Sequence, residues 1–339
     1  MEIGLYANTH GLGKKVGEAF VLQHTPFDEI SAIEIAQLAE SKLFHSIWFP
    51  DHVCMPINSG STHPSGERPY QPMHNILDGA VLMGALAAAT SRIKLGTAVL
   101  IAPYRHPLSD ARQFMTIDQL SNGRLLLGVG SGWLKEEFDA LNINYKTRNE
   151  KTSECIEIYK NCWSDKSINF SGLHYRFNNI SMDPKPIQSP RPPILYGGNT
   201  PFGARKAIEN CDGLYPLFFD QQFNPALYKP LQDIIRREAD KIKRNLSDFY
   251  MIAAAWAHIK NGNKSLGKSC NRHTLTGSIN QIIDHLAELA DEGYSLVTCM
   301  LMCPSGSINE LKDQIQEFGE EIIPNVKTVT PKGEWKPLK

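Results

Sequence analysis

Ser121-Asn-Gly-Arg-Leu-Leu-Leu-Gly-Val-Gly-Ser-Gly-Trp-Leu-Lys-Glu-Glu-Phe138 is the stretch on which the fold turns. It opens on the turn pair Asn122-Gly123 and runs into an apolar strand, Arg124–Val129. The glycine cluster Gly128-Val-Gly130-Ser-Gly132 follows. A dinucleotide fingerprint has the spacing G-x-G-x-x-G at the opening of a helix, with an acid about 20 positions on. Here the spacing is G-x-G-x-G, the acid is missing from its place, and the motif lies after the fourth strand. Glycines at a strand end admit another backbone or a flat ring. Gly130, Ser131 and Gly132 are therefore read as a ring-accommodating wall rather than a dinucleotide turn.

Outward from this segment, short apolar runs alternate with helical stretches. Glu2–Ala7, Ser46–Pro50 and Ile93–Ile101 precede it as strands one to three. Ile194–Tyr196, Gly213–Leu217, Tyr250–Ile259 and Leu296–Met302 follow as strands five to eight. Between them, Ala32, Ile35, Ala36, Ala39 and Leu43 form a helical apolar stripe. Leu77–Thr90 reads as a buried helix, too short to span a bilayer. Ser167–Ile180 is a β-rich hairpin outside the main sheet, and a proline-rich segment leads from it into strand five. Near-continuous apolar strands indicate a parallel sheet covered on both faces. The count predicts an α/β fold, a (β/α)8 TIM barrel with a β-rich insertion, with an open doubly wound sheet as the structural alternative. Residues 1–327 are expected to form one domain and 328–339 a loose tail.

Lys plus Arg number 35 and Asp plus Glu 36, a net charge of −1 that gives no electrostatic pull toward nucleic acid or an anionic membrane. A hydrophobic share of 42% supports a large core and excludes a disordered chain. No basic segment followed by an apolar one opens the chain, so a cytoplasmic location is expected. The 7 cysteines are scattered and read as reduced core thiols. Histidines are too dispersed to argue for a metal triad. No nucleophile elbow, Walker loop or His-Glu-x-x-His motif supports a hydrolase or NTPase. An organic cofactor explains how such a barrel works with few acid–base groups.

In a barrel, chemistry sits where strands end and βα loops begin. Asp51-His52 closes strand two, where a histidine suits a general base or a hydrogen-bond donor to a bound ring. Adjacent strand residues point opposite ways, so contact between the two is not implied. His10, beyond strand one, is a further candidate at the mouth, while His106 is read as structuring its loop. Gly197-Gly198-Asn199-Thr200 precedes a helix, and its N–H groups suit a phosphate; Thr200 either adds a hydroxyl or caps the helix.

Thr90-Ser-Arg-Ile-Lys-Leu-Gly-Thr97, Tyr104-Arg-His-Pro107 and the Ser121–Phe138 stretch resemble the bacterial luciferase-like superfamily. Pro184-Lys-Pro-Ile-Gln188, Pro193-Ile-Leu-Tyr-Gly-Gly198, Cys211-Asp-Gly-Leu-Tyr215 and Thr276-Gly-Ser-Ile279 look like its second-half signatures. The match keeps its order from about residue 2 to 325 and implies one (β/α)8 barrel with an insertion. Members bind FMN or the deazaflavin coenzyme F-420, and the Gly-Trp-Leu-Lys-Glu-Glu-Phe form looks most like the deazaflavin branch. The resemblance puts Ala98 and Val99 on the segment where the family often has a cis peptide against the ring. It sets Gly130–Gly132 near that ring and Gly197, Gly198 and Asn199 on the phosphate. Asp51 and His52 match an Asp-His pair whose histidine is the base in sugar-phosphate dehydrogenases. Those enzymes carry a glutamate acid where this chain has Trp133, which instead walls an apolar pocket. The leading expectation is a monooxygenase using reduced FMN and O2 on a small organic substrate, with a partner flavin reductase and a homodimeric assembly. A deazaflavin-dependent dehydrogenase transferring hydride, and a non-catalytic flavin-binding barrel, are the alternatives. Substrate choice is assigned to the loops Met55–Pro72 and Phe218–Lys229.

Overall fold

The computed structural model describes residues 1–7, 12–16, 19–23, 31–62, 76–218, 229–260 and 275–338. Its strands are β1 (Glu2–Tyr6), β2 (Ser46–Phe49), β3 (Lys94–Thr97) and β4 (Leu125–Gly130), then β5 (Ile194–Gly197), β6 (Gly213–Tyr215), β7 (Tyr250–Ile259) and β8 (Leu296–Leu301). Each pairs in parallel with the next, and β8 pairs with β1, so the sheet closes on itself. The fold is the α/β (β/α)8 TIM barrel, not an open sheet. Leu12–Val16 and Ala19–Gln23 form an antiparallel hairpin after β1 that the sequence reading lacked. The expected excursion is the hairpin Ile168–Ser171 with Arg176–Ile180.

Two strands are interrupted where the sequence suggests continuous runs. Strand three stops at Thr97 and resumes as Leu100–Ile101, with a cis Ala98–Val99 peptide between the two pieces. Strand six stops before Pro216 and resumes as Leu217–Phe218. Proline has no N–H to contribute to a ladder.

Around the barrel run α1 (Ala32–Ser41), α2 (Gly79–Ala89) and α3 (Pro107–Leu120). They are followed by α4 (Lys135–Ala140), α5 (Arg148–Ser164), α6 (Pro201–Asn210), α7 (Lys229–Ile242), α8 (Ile279–Asp291) and α9 (Ile308–Glu317). Side chains cap several of them: Ser31 accepts from the Glu34 N–H, Asp78 from Val81, and Ser278 with Gln281 forms a capping box. Ile35, Ala36 and Ala39 are buried as their spacing predicts, but Leu43 is 47% exposed. The helix ends at Ser41 and Leu43 turns left-handed at φ 65°, which takes it off the stripe. Helix α2 buries Leu82, Met83 and Leu86 but leaves Val81 74% exposed, so only one of its faces is covered. Among the described residues, no helix is long and apolar enough to cross a membrane.

The barrel interior is filled by alternating large and absent side chains. Trp48 on β2 lies between glycines of its two neighbours: a Cβ on Gly96 would sit 2.3 Å from the indole, and one on Gly4 2.9 Å from its Nε1. The polar atoms inside are paired: Trp48 Nε1 donates to Ser46 Oγ at 2.7 Å, and the Tyr215 and Thr298 hydroxyls meet at 2.5 Å. A packed interior of this kind is a core rather than a pore.

Two of the quoted signatures fasten the end of the barrel away from the mouth. Glu40 gathers the N–H groups of Ser91, Arg92 and Ile93, and buried Arg124 donates to the carbonyls of Ala87, Thr90, Ile93 and Ser121. The segment from Thr328, expected to be loose, is docked on that same end. Leu338 joins the inner barrel cluster that includes Leu296 and Ile252, Trp335 packs tilted against Phe249 with centroids 6.3 Å apart, and the Lys336 N–H donates to the Phe249 carbonyl. Burial of an indole and a leucine outweighs the polarity of the residues between them. Of the cysteines, Cys155, Cys162, Cys211, Cys299 and Cys303 are buried and unpaired, whereas Cys54 is exposed rather than a core thiol; Cys270 lies outside the described residues.

Candidate active site

The residues after β2, β3, β4 and β5 surround a cavity of about 680 Å3 at the C-terminal mouth of the barrel. That is within the range of small-molecule sites. From β2 and β3 the wall takes Asp51, His52, Ala98 and Val99; from β4 it takes Gly130, Ser131, Gly132 and Trp133; from β5 it takes Gly197, Gly198 and Asn199. The separate strand-end motifs thus converge on one space. His10 lies outside the described residues, as do residues 63–72 and 219–228 of the two loops assigned to substrate choice.

The glycines of the wall answer to neighbours within the protein. A Cβ on Gly130 would come 2.7 Å from Val99 Cγ2, and one on Gly197 2.6 Å from Val99 Cγ1. A Cβ on Gly128 would meet the Thr97 carbonyl oxygen at 2.1 Å. Val99 therefore projects between β4 and β5 into room that only glycine leaves. Gly132 has φ +80° and faces Ile101 and Phe138. Phe138 is fully buried between Tyr104, 4.9 Å away between ring centroids, and Tyr145, 5.2 Å away. This aromatic packing sets α4 against the mouth.

Asp51 and His52 part company, as strand alternation requires. Arg105 donates to both Asp51 oxygens at 2.8 Å, and the Ile101 N–H donates to Oδ2 at 2.9 Å. Asp51 thereby fastens the ends of β2 and β3 while also lining the cavity, contacts that the sequence reading did not foresee. The carboxylate facing His52 is Glu137 on α4: His52 Nδ1 lies 2.9 Å from Oε2, with both side chains buried. Tyr104 donates to the same oxygen at 2.7 Å, while Oε1 accepts from the N–H groups of Val53 and Cys54. Burial pushes the Glu137 carboxyl up, but the hydrogen bonds from His52, Tyr104 and the Cys54 amide leave it below its ordinary value. The adjacent Glu136 accepts from the N–H groups of Gly60 and Ser61 and from the Ser61 hydroxyl. Burial pushes it up, but the hydrogen bonds it accepts together bring it down to about 2. Trp133 presents its ring edge-on to His52, with centroids 6.4 Å apart.

At the other end of the cavity, Thr200 caps α6 by accepting from the Gly203 N–H at 3.0 Å. The Asn199 amide is locked onto the Leu217 backbone, its Nδ2 donating at 2.6 Å and its Oδ1 accepting at 2.8 Å. The loop is thus held rigid with its helix N-terminus at the cavity. Facing it is Arg148, the first residue of α5, whose guanidinium stacks 3.8 Å over the Tyr145 ring. Its Nε is buried and has no hydrogen-bond partner. Tyr6, Tyr145, Tyr196 and Phe202 complete an aromatic lining. Sequence reading missed Arg148, which belongs to no motif, and Glu137, which stood in the quoted Gly-Trp-Leu-Lys-Glu-Glu-Phe run. Among the described residues, no cluster of three or more His, Cys, Asp or Glu is placed to hold a metal ion.

Fold and site together define a (β/α)8-barrel protein with a large ligand cavity at its C-terminal mouth. The sequence pattern of one such family, described as luciferase-like monooxygenase, matches residues 1–266. The chain belongs to that family. An uncharacterized protein of Mycobacterium tuberculosis is 32% identical over 171 residues, covering 50% of this chain and 60% of that protein. An FMNH(2)-dependent dimethylsulfone monooxygenase of Pseudomonas fluorescens is 40% identical over 119 residues, covering 34% of this chain and 32% of that protein. The chain therefore spans less than two thirds of the length of either relative. Among solved structures, an F420-dependent secondary alcohol dehydrogenase in complex with an F420-acetone adduct superposes with a TM-score of 0.71 at 19% identity, over 96% of this chain and 98% of that one. This last is a likeness of fold.

Proposed function

We propose that this chain is a flavin-dependent monooxygenase that uses reduced FMN and O2 on a small, largely apolar organic substrate. The observation that carries the reading is the make-up of the cavity wall around His52. Beside it stands Trp133, and the one acidic lining residue among those described, Asp51, has both oxygens engaged by Arg105 and the Ile101 N–H. Among the described residues, a wall with one histidine and an aromatic surround favours enclosure and orientation over a two-group proton relay.

The cavity residues suit the cofactor. Arg148 and the Gly197–Thr200 loop would hold its phosphate, the guanidinium bringing a buried donor that lacks a partner. Ala98, Val99 and Gly130–Gly132 would back the ring. When bound, reduced FMN supplies the electrons that activate oxygen. The aromatic lining keeps water from the reacting groups, and His52 holds or returns a proton at Nε2. Two partners belong to this reading, a flavin reductase that delivers the reduced cofactor and, from the family resemblance, a second copy of the chain. The buried unpaired thiols support a cytoplasmic setting.

A second reading, hydride exchange with the deazaflavin F-420, is favoured by the buried His52–Glu137 pair, which suits a base. Side-by-side fluorescence titration with FMN, reduced FMN and the deazaflavin separates the two. Tighter binding of reduced FMN, followed by substrate-dependent oxygen uptake, is the expected result. Tight binding of the deazaflavin alone with anaerobic turnover would replace the first reading by the second, and binding of neither would overturn both.

A further inference from the structure

We propose that Glu137 is a positioning residue that fixes His52 as its Nδ1–H tautomer, so that Nε2 is the nitrogen exchanging a proton with a ligand in the cavity. The proposal rests on the reading of this cavity as the active site, but its main test does not.

Four hydrogen-bonding groups meet at the Glu137 carboxylate. Oε1 of Glu137 accepts from the Val53 N–H at 2.6 Å and from the Cys54 N–H at 3.1 Å. Oε2 accepts from the Tyr104 hydroxyl at 2.7 Å and faces His52 Nδ1 at 2.9 Å. Glu137 has no exposed side-chain surface and lies off the cavity wall, so these four groups are its surroundings. With its carboxyl held below the ordinary range, it is ionised at neutral pH and has no proton to give. Two acceptors facing each other at 2.9 Å inside the protein would be strongly unfavourable. Nδ1 must therefore carry the hydrogen, which makes Nε2 the acceptor of the neutral ring. When a proton moves from a ligand to Nε2, the ligand keeps the bonding electron pair. The resulting imidazolium stays hydrogen-bonded to a carboxylate that offsets its charge.

The same carboxylate also grips the two residues that follow His52, so ring and backbone are held as one unit. Glu136 extends the grip: it takes the N–H groups of Gly60 and Ser61 at 2.7 and 3.2 Å. Neighbouring acids on one turn of α4 thus hold both ends of the segment 52–61. That is the physical content of the Glu-Glu pair in the sequence.

Glu137→Gln gives the sharpest test because it preserves shape. Its amide has one oxygen, which goes to the two backbone donors at Val53 and Cys54. Its NH2 then faces Tyr104 and His52, so Nδ1 must become an acceptor and the proton must move to Nε2. Long-range 1H–15N NMR of 15N-histidine-labelled, ligand-free protein reads this directly, with His52→Asn assigning the signal. We expect Nδ1–H in the wild type and Nε2–H in E137Q, with Tyr104→Phe keeping the wild-type tautomer and showing that the change is not a general loosening. Nε2–H in the wild type, or an unchanged tautomer in folded E137Q, overturns the proposal. In turnover, E137Q should lower kcat by about 10²–10⁴-fold with KM little changed. A flipped tautomer with undiminished kcat would uphold Glu137's positioning role and overturn instead the reading of His52 as the proton-handling group.

Discussion

Arg105 closes on both carboxylate oxygens of Asp51 at 2.8 Å, which makes the residue beside His52 a structural clamp between two βα loops. The forked guanidinium matches the carboxylate in a way a lysine cannot. Arg105→Ala leaves a largely buried carboxylate without its partner, and such losses cost about 3–5 kcal/mol. Chemical denaturation should show a loss approaching that size, with Arg105→Lys recovering less than half. A variant as stable as the wild type would refute the clamp.

Val99 and the glycines opposite it should behave as a coupled set. Gly130→Ala and Gly197→Ala each bring a methyl within 2.7 Å of Val99, and overpacking of this kind costs about 1–3 kcal/mol. Combining either with Val99→Ala should recover most of the loss. Additive effects in the double variants would show that the glycines are needed for some other reason.

Arg148 should matter to ligand binding far more than to folding. It bears an unpartnered buried Nε and stacks on Tyr145 at the cavity wall. Loss of a charge-assisted hydrogen bond is worth about 1.5–3 kcal/mol. Arg148→Ala should therefore weaken FMN binding by roughly tenfold to a hundredfold, with Tm nearly unchanged. Unaltered affinity would remove the phosphate from this end of the cavity.

Asp110 predicts a pH dependence of stability. Burial raises its carboxyl from 3.8 to about 7, with only the Tyr159 hydroxyl and the more distant Arg105 charge opposing the rise. The folded chain keeps a proton that the unfolded chain loses near pH 4. Raising the pH between those values therefore lowers stability, and the effect is complete above about pH 7. Asp110→Asn abolishes that titration. Its stability relative to wild type should improve between pH 5 and pH 8 in paired urea titrations; a constant difference would contradict the assignment.

Much of the barrel was readable because its signal is local. Eight apolar strand runs of the right length need no partner to be recognised, and Asn122-Gly123 announces its turn, with φ 55° and 80° in the structure. The strand-end motifs were also legible, since the barrel rule says which end of each strand carries the site. What escaped was relational. His52 is 85 positions from Glu137, and nothing in Asp51-His52 reveals that its carboxylate turns away toward Arg105. Arg148 sits at the start of an ordinary helix and gains meaning only from what it faces across the cavity. The tail misled for a similar reason: Trp335 and Leu338 are two apolar residues among polar ones, and their burial depends on a floor assembled from β7 and β8.

That floor has a kinetic consequence. Among the described residues, Leu338 and the packing around Trp48 fill the barrel beneath the cavity, so its floor is closed on that side. Two molecules stacked over that floor would have to enter from the side of the mouth. The deeper one has to arrive first and leave last, so stacked occupancy imposes a compulsory order of addition on any two-ligand reaction the barrel hosts.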